Sequence, residues 1–217
     1  NQTQLAHLRE ELPNNKWRPK ARQKWVTLDI DDQRSSPLVN QRQAFRQAND
    51  DQNATMSGWL AETLKSLASP AGLLELFCGS GNLTSVLARC FPEIKITAVE
   101  GDEWALKKLL NMGLPNLVTQ RRNLFSATDI EAMATTLPSG QGIVLDPPRD
   151  GLKERGALAS LFAESPWVVY ISCNLATWQR DAHFLQEQGL LLTNVEGLDM
   201  FPQTPHLEVL SVFERKQ

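Results

Sequence analysis

Short apolar runs, each about the length of a strand, alternate with amphipathic stretches of helical length from residue 73 to residue 188. No other feature limits the fold of this chain so tightly. The runs cover 73–77, 94–100, 116–120, 142–146 and 167–172, and helices are predicted near 82–91, 102–112, 128–136, 151–163 and 175–188. Strands that alternate with helices form βαβ units, and βαβ units form a parallel sheet covered by helices on both faces. Such sheets take their ligands at the carboxyl ends of the strands, near the point where strand order reverses. Upstream, residues 43–68 hold Met56, Trp59, Leu60, Leu64 and Leu67 at helical spacing, closed by Pro70 and Gly72. The tail breaks the rhythm, because 190–198 and 207–214 both read as strands joined by only eight residues. A parallel crossover needs about a dozen residues or more, so this last pair is expected to be antiparallel. The fold class is therefore α/β, a mostly parallel sheet with a reversed C-terminal strand.

A chain of 217 residues is long enough for one well-buried domain and an appendage. No apolar run approaches the roughly 20 residues of a membrane span, and there is no signal-peptide pattern. Cys78, Cys90 and Cys173 form no CxxC pair. That argues against a disulfide framework and a cysteine-rich metal site, and fits a reducing cytoplasm. The net charge of −3 divides unevenly, +3 over residues 1–42 and −6 over the remainder. Lys16, Arg18, Lys20, Arg22 and Lys24 are interleaved with Trp17 and Trp25. Basic groups neutralise phosphates and aromatic rings stack on unpaired bases, so this segment reads as an RNA-contacting arm or as a solvated leader. The expected division is a basic segment over 1–42 and a folded domain over 43–217. The chain opens on Asn1 and is expected to be part of a longer or processed protein.

Glu75-Leu76-Phe77-Cys78-Gly79-Ser80-Gly81-Asn82 closes the first strand and opens a helix. Gly79 and Gly81 let the backbone turn sharply and approach a ligand. The third glycine of the dinucleotide fingerprint is replaced by Thr84, which weakens the case for a pyrophosphate cofactor. Glu100 ends the next strand about twenty residues on, where a carboxylate can accept the ribose hydroxyls of an adenosine. Asn123 lies just past the third strand, and Asp146-Pro147-Pro148-Arg149 follows the fourth, with two prolines stiffening the loop behind Asp146. Cys173 follows the fifth strand, at the end where chemistry concentrates in this fold class. Cys78 and Cys90 read as small buried hydrophobes.

These motifs resemble, in order, those of the RNA 5-methyluridine methyltransferases, the bacterial tRNA and 23S ribosomal RNA uracil-C5 enzymes. The resemblance runs from about residue 42 to the end. It is carried by Phe45-Arg46-Gln47-Ala48-Asn49, by Leu76 to Asn82, by Leu145-Asp146-Pro147-Pro148-Arg149, by Ser172-Cys173-Asn174 with Thr177 and Arg180-Asp181, and by Asp199-Met200-Phe201-Pro202-Gln203-Thr204 with His206-Leu207-Glu208. It implies a Rossmann-like class I methyltransferase domain over 43–217 and S-adenosylmethionine as cofactor. Gln47, Phe77, Asn82, Glu100, Asn123 and Asp146, together with the Gly79 turn, would line the cofactor pocket. Cys173 would be the nucleophile and Glu208 the base, with ribosomal or transfer RNA as substrate and no metal. The family's proline after Cys-Asn is Leu175 here, which is expected to loosen the loop behind the thiol. The family commonly carries an OB-like RNA-binding domain upstream, sometimes with an iron–sulfur cluster.

The chemistry explains the residue types. C5 of uracil is a poor nucleophile until a thiolate adds to C6, and a thiolate both attacks and leaves well. A thiol with a pKa of about 8.5 is mostly protonated at neutral pH, so the site is expected to depress it, with Arg149 and Arg180 as candidate cations. His206, whose pKa lies nearer neutrality, competes with Glu208 as base. The target base must arrive unstacked, and Trp17, Trp25 or Phe201 could stack on it or on its neighbours. Two other readings remain open at this stage: a methyltransferase for another base or a small molecule, which would need no thiol, and an RNA-binding module that keeps the fold without turnover. The chain is expected to act as a cytoplasmic monomer.

Overall fold

The computed structural model describes residues 50–199 and 207–215. The expected basic arm, the Phe45–Asn49 motif and His206 all lie outside those residues. The order is α1 (Asp50–Ser66), β1 (Gly72–Leu76), α2 (Thr84–Cys90), β2 (Ile96–Glu100), α3 (Glu103–Leu110), β3 (Leu117–Arg121), α4 (Ala127–Ala134), β4 (Gln141–Leu145), α5 (Arg155–Phe162), β5 (Trp167–Ser172), α6 (Leu175–Glu187), β6 (Leu190–Leu198) and β7 (Glu208–Arg215).

The strands form one seven-stranded sheet ordered β3-β2-β1-β4-β5-β7-β6. The first five pair in parallel. β7 is antiparallel to both of its neighbours, so it is inserted, reversed, between β5 and β6. The antiparallel tail is as expected; the insertion is a tertiary fact. A short connection fixes only that β6 and β7 pair, and does not fix which of them meets β5.

Period-two alternation sorts the strand residues onto two cores. Leu74, Leu76, Ile143, Leu145, Val168 and Tyr170 face Ile130, Met133, Leu158, Phe162, Phe184 and Leu185 of α4, α5 and α6. Leu73, Ile96, Val144, Trp167, Val169 and Ile171 face Met56, Leu60 and Leu64 of α1 and Val86 and Leu87 of α2. The spacing of Met56, Leu60 and Leu64 is one helical stripe, and each is at most 1% exposed. Helix starts carry caps where the sequence supplies them: Asp102 accepts from the Trp104 and Ala105 amides, and Ser126 accepts from the Asp129 amide. No helix among the described residues is long and apolar enough to cross a membrane.

Two boundaries differ from the expected ones for identifiable reasons. β1 stops at Leu76, because Phe77 already turns with a φ of 60°. α5 begins at Arg155 rather than near 151, because Gly151 has a φ of 67° and the Leu152 amide is bonded to the Asp181 side chain.

Two glycines test this packing in opposite directions. A Cβ on Gly142 would run into the indole of Trp167, which is 1% exposed and pinned by a 2.8 Å bond from its Nε1 to the Ala68 carbonyl. Gly142→Ala should therefore destabilise the protein by about 1–3 kcal/mol, read as a fall of several degrees in Tm. A Cβ on Gly58, within α1, meets nothing within 4 Å. Gly58→Ala should stabilise by about 0.5–1 kcal/mol in the same thermal scan.

Candidate active site

Parallel register aligns the ends of the strands. Leu76 of β1 pairs with Val99 of β2 and with Leu145 of β4. The residues one step further, Phe77, Glu100 and Asp146, therefore leave the sheet side by side. The antiparallel strand adds the last member from the opposite chain direction. Ser172 of β5 faces Val209 of β7, so the next residues to face each other are Cys173 and Glu208. Five separate segments thus meet at one edge.

The glycine turn between β1 and α2 forms one wall. Phe77 and Gly79 both have left-handed backbone, with φ of 60° and 52°. Such a conformation costs a non-glycine residue about 1 kcal/mol or more, and it is concentrated at functional sites. A Cβ at Gly79 would meet nothing within 4 Å, so the turn opens onto free space. The Glu100 carboxylate accepts from the amides of Gly79 at 3.2 Å, Gly101 at 2.7 Å and Asp102 at 2.9 Å, which ties the ends of β1 and β2 together. Asn82 exchanges two amide hydrogen bonds with Asn53 of α1, at 3.1 and 2.8 Å. Asn53 went unnoticed in the sequence, where nothing marks it beyond a position early in a helix. The Asn123 side chain accepts from the Phe125 amide at 3.0 Å, folding the loop after β3, and the Phe125 ring lies 5.7 Å from that of Phe77. Gln47 lies outside the described residues.

The electrostatics are those of a pocket rich in carboxyls. Burial raises Asp146 to about 7, with the charge of Glu208 adding to the shift. Glu75, 1% exposed within β1, is raised to about 8 by burial, softened by the nearby Thr84 and reinforced by Asp146. Glu75 Oε2 and Thr84 Oγ1 are both buried without a hydrogen-bond partner. Glu208 is 7% exposed and raised by burial, with Arg149 opposing. Thr84, absent from a dinucleotide fingerprint, therefore packs over an acid rather than making room for a pyrophosphate. Buried acids raised by burial and by one another suit a cationic ligand, whose charge would favour their ionised forms. S-adenosylmethionine, with its sulfonium and ammonium charges, fits that donor set.

Two expectations about Cys173 need correction. Its thiol is raised rather than depressed: burial contributes most, then the charges of Glu208 and Asp146, while Arg149 pulls the other way. The physical reason is that β7 and the end of β4 bring carboxyls to the thiol along with the cation. Arg180 is not an activating cation, because it is paired at 2.9 Å with Asp181 and donates to the carbonyls of Asp150 and Leu152. Asn174 caps α6, accepting from the Ala176 and Thr177 amides, and Leu175 is the first helical residue, where proline is favoured but not required. Cys78 is 5% exposed, as expected of a packing residue, and Cys90 is half-buried against the α1–α2 core.

Residues 22–216 match the family model for tRNA (uracil-5-)-methyltransferase. The chain is 36% identical over 215 residues to an uncharacterized RNA methyltransferase of Nitrosomonas europaea, covering 98% of this chain and 54% of that protein. It is 37% identical over 180 residues to the 23S rRNA (uracil(1939)-C(5))-methyltransferase RlmD of Halomonas elongata, covering 78% of this chain and 36% of that one. The chain thus spans about a third to a half of the length of these relatives. Among solved structures, the Pyrococcus abyssi tRNA (uracil-54, C5)-methyltransferase in complex with S-adenosyl-L-homocysteine shares the fold. Its TM-score is 0.62 at 22% identity, over 78% of this chain and 40% of that one.

The raised acids make stability depend on pH in a defined direction. Between the ordinary carboxyl range and about 8, the folded state holds a proton on Glu75 that the unfolded chain has lost. Asp146 does the same up to about 7. Stability is therefore present in full at low pH and falls as pH rises through this window, by on the order of a few kcal/mol. Urea unfolding at pH 5.5 and pH 8.5 should show a lower midpoint at the higher pH. Glu75→Gln should shrink the difference and adding Asp146→Asn should shrink it further, with Glu208 contributing to what is left.

Proposed function

Because the chain belongs to the tRNA (uracil-5-)-methyltransferase family, we propose that it methylates C5 of a uridine in ribosomal or transfer RNA, using S-adenosylmethionine. The observation that carries this reading is the juxtaposition of Cys173 and Glu208 across β5 and β7, beside Asp146. An amine methyltransferase has no use for a thiol at that point, and a binding module has no use for a buried base next to it. The enzyme acts in the cytoplasm as a monomer.

Phe77, Gly79, Asn82, Glu100, Asn123 and Asp146 would hold the cofactor, with Gln47 joining them from earlier in the sequence. Glu100 is oriented by three amides and keeps acceptor capacity for the ribose hydroxyls, while Asp146 and Glu75 favour the cationic end. When bound, the cofactor supplies an electrophilic methyl group on a sulfonium.

Cys173, its proton having passed to solvent, bonds through Sγ to C6 of the unstacked uracil, and the C5–C6 π pair shifts toward the C4 carbonyl. C5, now electron-rich, would take the methyl group as the methyl–sulfonium bond breaks and leaves its pair on sulfur. Glu208 then accepts the C5 proton, the released pair re-forms the C5–C6 double bond, and the C6–S bond breaks. A carboxylate raised by burial is better matched to this task near neutral pH than an exposed one. Arg149, which favours the thiolate, offsets part of the carboxylate effect on Cys173.

Glu100→Ala should weaken binding of S-adenosylmethionine by about 1–3 kcal/mol, measured by calorimetry. Unchanged affinity would remove Glu100 from the pocket.

Cys173→Ala should abolish methyl transfer with fold and cofactor binding retained, whereas Cys78→Ala and Cys90→Ala should turn over. Glu208→Gln should stop the reaction after methyl transfer. A denaturing gel with labelled RNA and labelled methyl group should then show a slow band carrying both labels and dependent on Cys173. If the band forms in His206→Ala instead, the base is His206. Activity in Cys173→Ala would sink the covalent reading altogether.

A further inference from the structure

We propose that Asp181 is a positioning residue for the site: it clasps the loop after β4 to α6 and so fixes Arg149 relative to Cys173. The inference rests on the reading of Cys173 as the nucleophile.

Asp181 is 0% exposed and lies on α6, the helix that starts two residues after Cys173. Its carboxylate accepts from the Leu152 amide at 2.8 Å, the Tyr170 hydroxyl at 2.9 Å and Arg180 Nε at 2.9 Å. Arg180 Nη2 passes the grip onward, donating to the carbonyls of Asp150 at 2.9 Å and Leu152 at 3.3 Å. One turn earlier on the same helix, Thr177 Oγ1 and Asn174 Nδ2 donate to the Arg149 carbonyl at 3.1 and 3.3 Å. The loop is therefore held by its backbone at Arg149, Asp150 and Leu152, all from one helix. Gly151 completes the fit: with a φ of 67°, it leaves no room for a Cβ, which would strike Asp181 Oδ2 and lie 2.7 Å from Arg180 Nη2.

Packing alone does not call for this arrangement. A buried carboxylate carries a desolvation cost, and a well-packed apolar residue in its place is often neutral or stabilising. What the ionic clasp adds is direction, since its bonds reach the loop at Leu152 and β5 at Tyr170, and through Arg180 the loop again at Asp150 and Leu152. One end of that loop is Asp146. Its middle carries Arg149, the cation that pulls the Cys173 thiol down against the carboxyls of Glu208 on β7 and Asp146 after β4. If the loop is freed, Arg149 no longer sits at a fixed distance, and the thiol should titrate at higher pH.

The sign of that shift separates positioning from a plain charge effect. Removing the negative charge of Asp181 would by itself move a nearby thiol to lower pH, whereas releasing Arg149 moves it higher. The test is the pH dependence of Cys173 alkylation by iodoacetamide in the full chain. It is read by mass spectrometry of the Cys173 peptide, with the Cys90 peptide as internal comparator. Asp181→Asn and Gly151→Ala, the second of which leaves every charge in place, should both move the Cys173 midpoint to higher pH and leave Cys90 unmoved. Tyr170→Phe, which removes one donor only, should move it less in the same direction. The methylation kcat should fall on the order of ten- to a hundred-fold in the first two variants. Any one of the three that folds decides the matter. A midpoint that stays put or moves down, with only Tm lowered, makes Asp181 a structural residue and overturns the proposal. The thiol titration does not depend on turnover, so activity retained in Cys173→Ala would remove the nucleophile reading while leaving the coupling of the clasp to the thiol measurable.

Discussion

In a parallel sheet the strands all end at the same edge, and their hydrogen-bond register decides which residues leave that edge together. Leu76, Val99 and Leu145 share one row, so Phe77, Glu100 and Asp146 emerge as neighbours although the outer two are 69 positions apart in the chain. A slip of one residue in any strand would send its terminal side chain to the opposite face. The apolar alternation that buries Leu74 and Leu76 on one face and Leu73 on the other guards against that slip. Core packing and site geometry are thus the same constraint seen at two ends of each strand.

The reversed strand supplies what a purely parallel sheet cannot. β7 enters the edge of the site from outside, with Glu208 as its first residue, while β5 leaves toward the same edge and ends just before Cys173. Two strands running in opposite directions can bring the end of one against the start of the other. That gives the proposed nucleophile and base a common support in the sheet. The same closeness sets the electrostatic problem of the site, because Glu208 and Asp146 both disfavour a thiolate at Cys173. In the free protein the acids are protonated more readily than ordinary carboxyls, and the thiol is held back.

Below the site, α6 does two jobs. Its first turn, capped by Asn174, anchors the backbone that follows Cys173 and holds the Arg149 carbonyl through Thr177, and its second turn grips the same loop at Asp150 through Arg180. The loop is further stiffened by Pro147 and Pro148, which restrict the backbone just ahead of Arg149. The hydrogen bonds around the candidate residues come from neighbours such as Asp181, Tyr170 and Asn53.

The sequence by itself determined the element order, the parallel character of the sheet, the antiparallel tail and the position of the candidate residues at strand ends. All of these follow from local periodicity, connection length and turn chemistry, which act over a few residues. It also carried the motifs that identify the family. Only the tertiary structure decided that β7 inserts between β5 and β6, because strand neighbours far apart in sequence are chosen by packing over the whole sheet. The sign of the shift at Cys173 and the role of Arg180 were likewise beyond the sequence. A thiol between two arginines in a motif reads as activated, yet its pKa depends on burial and on every charge within reach. Glu208 and Asp146 come within reach only when β7 and β4 are in place. Charge interactions fall off with distance rather than with sequence separation, so they become readable only once the chain is folded.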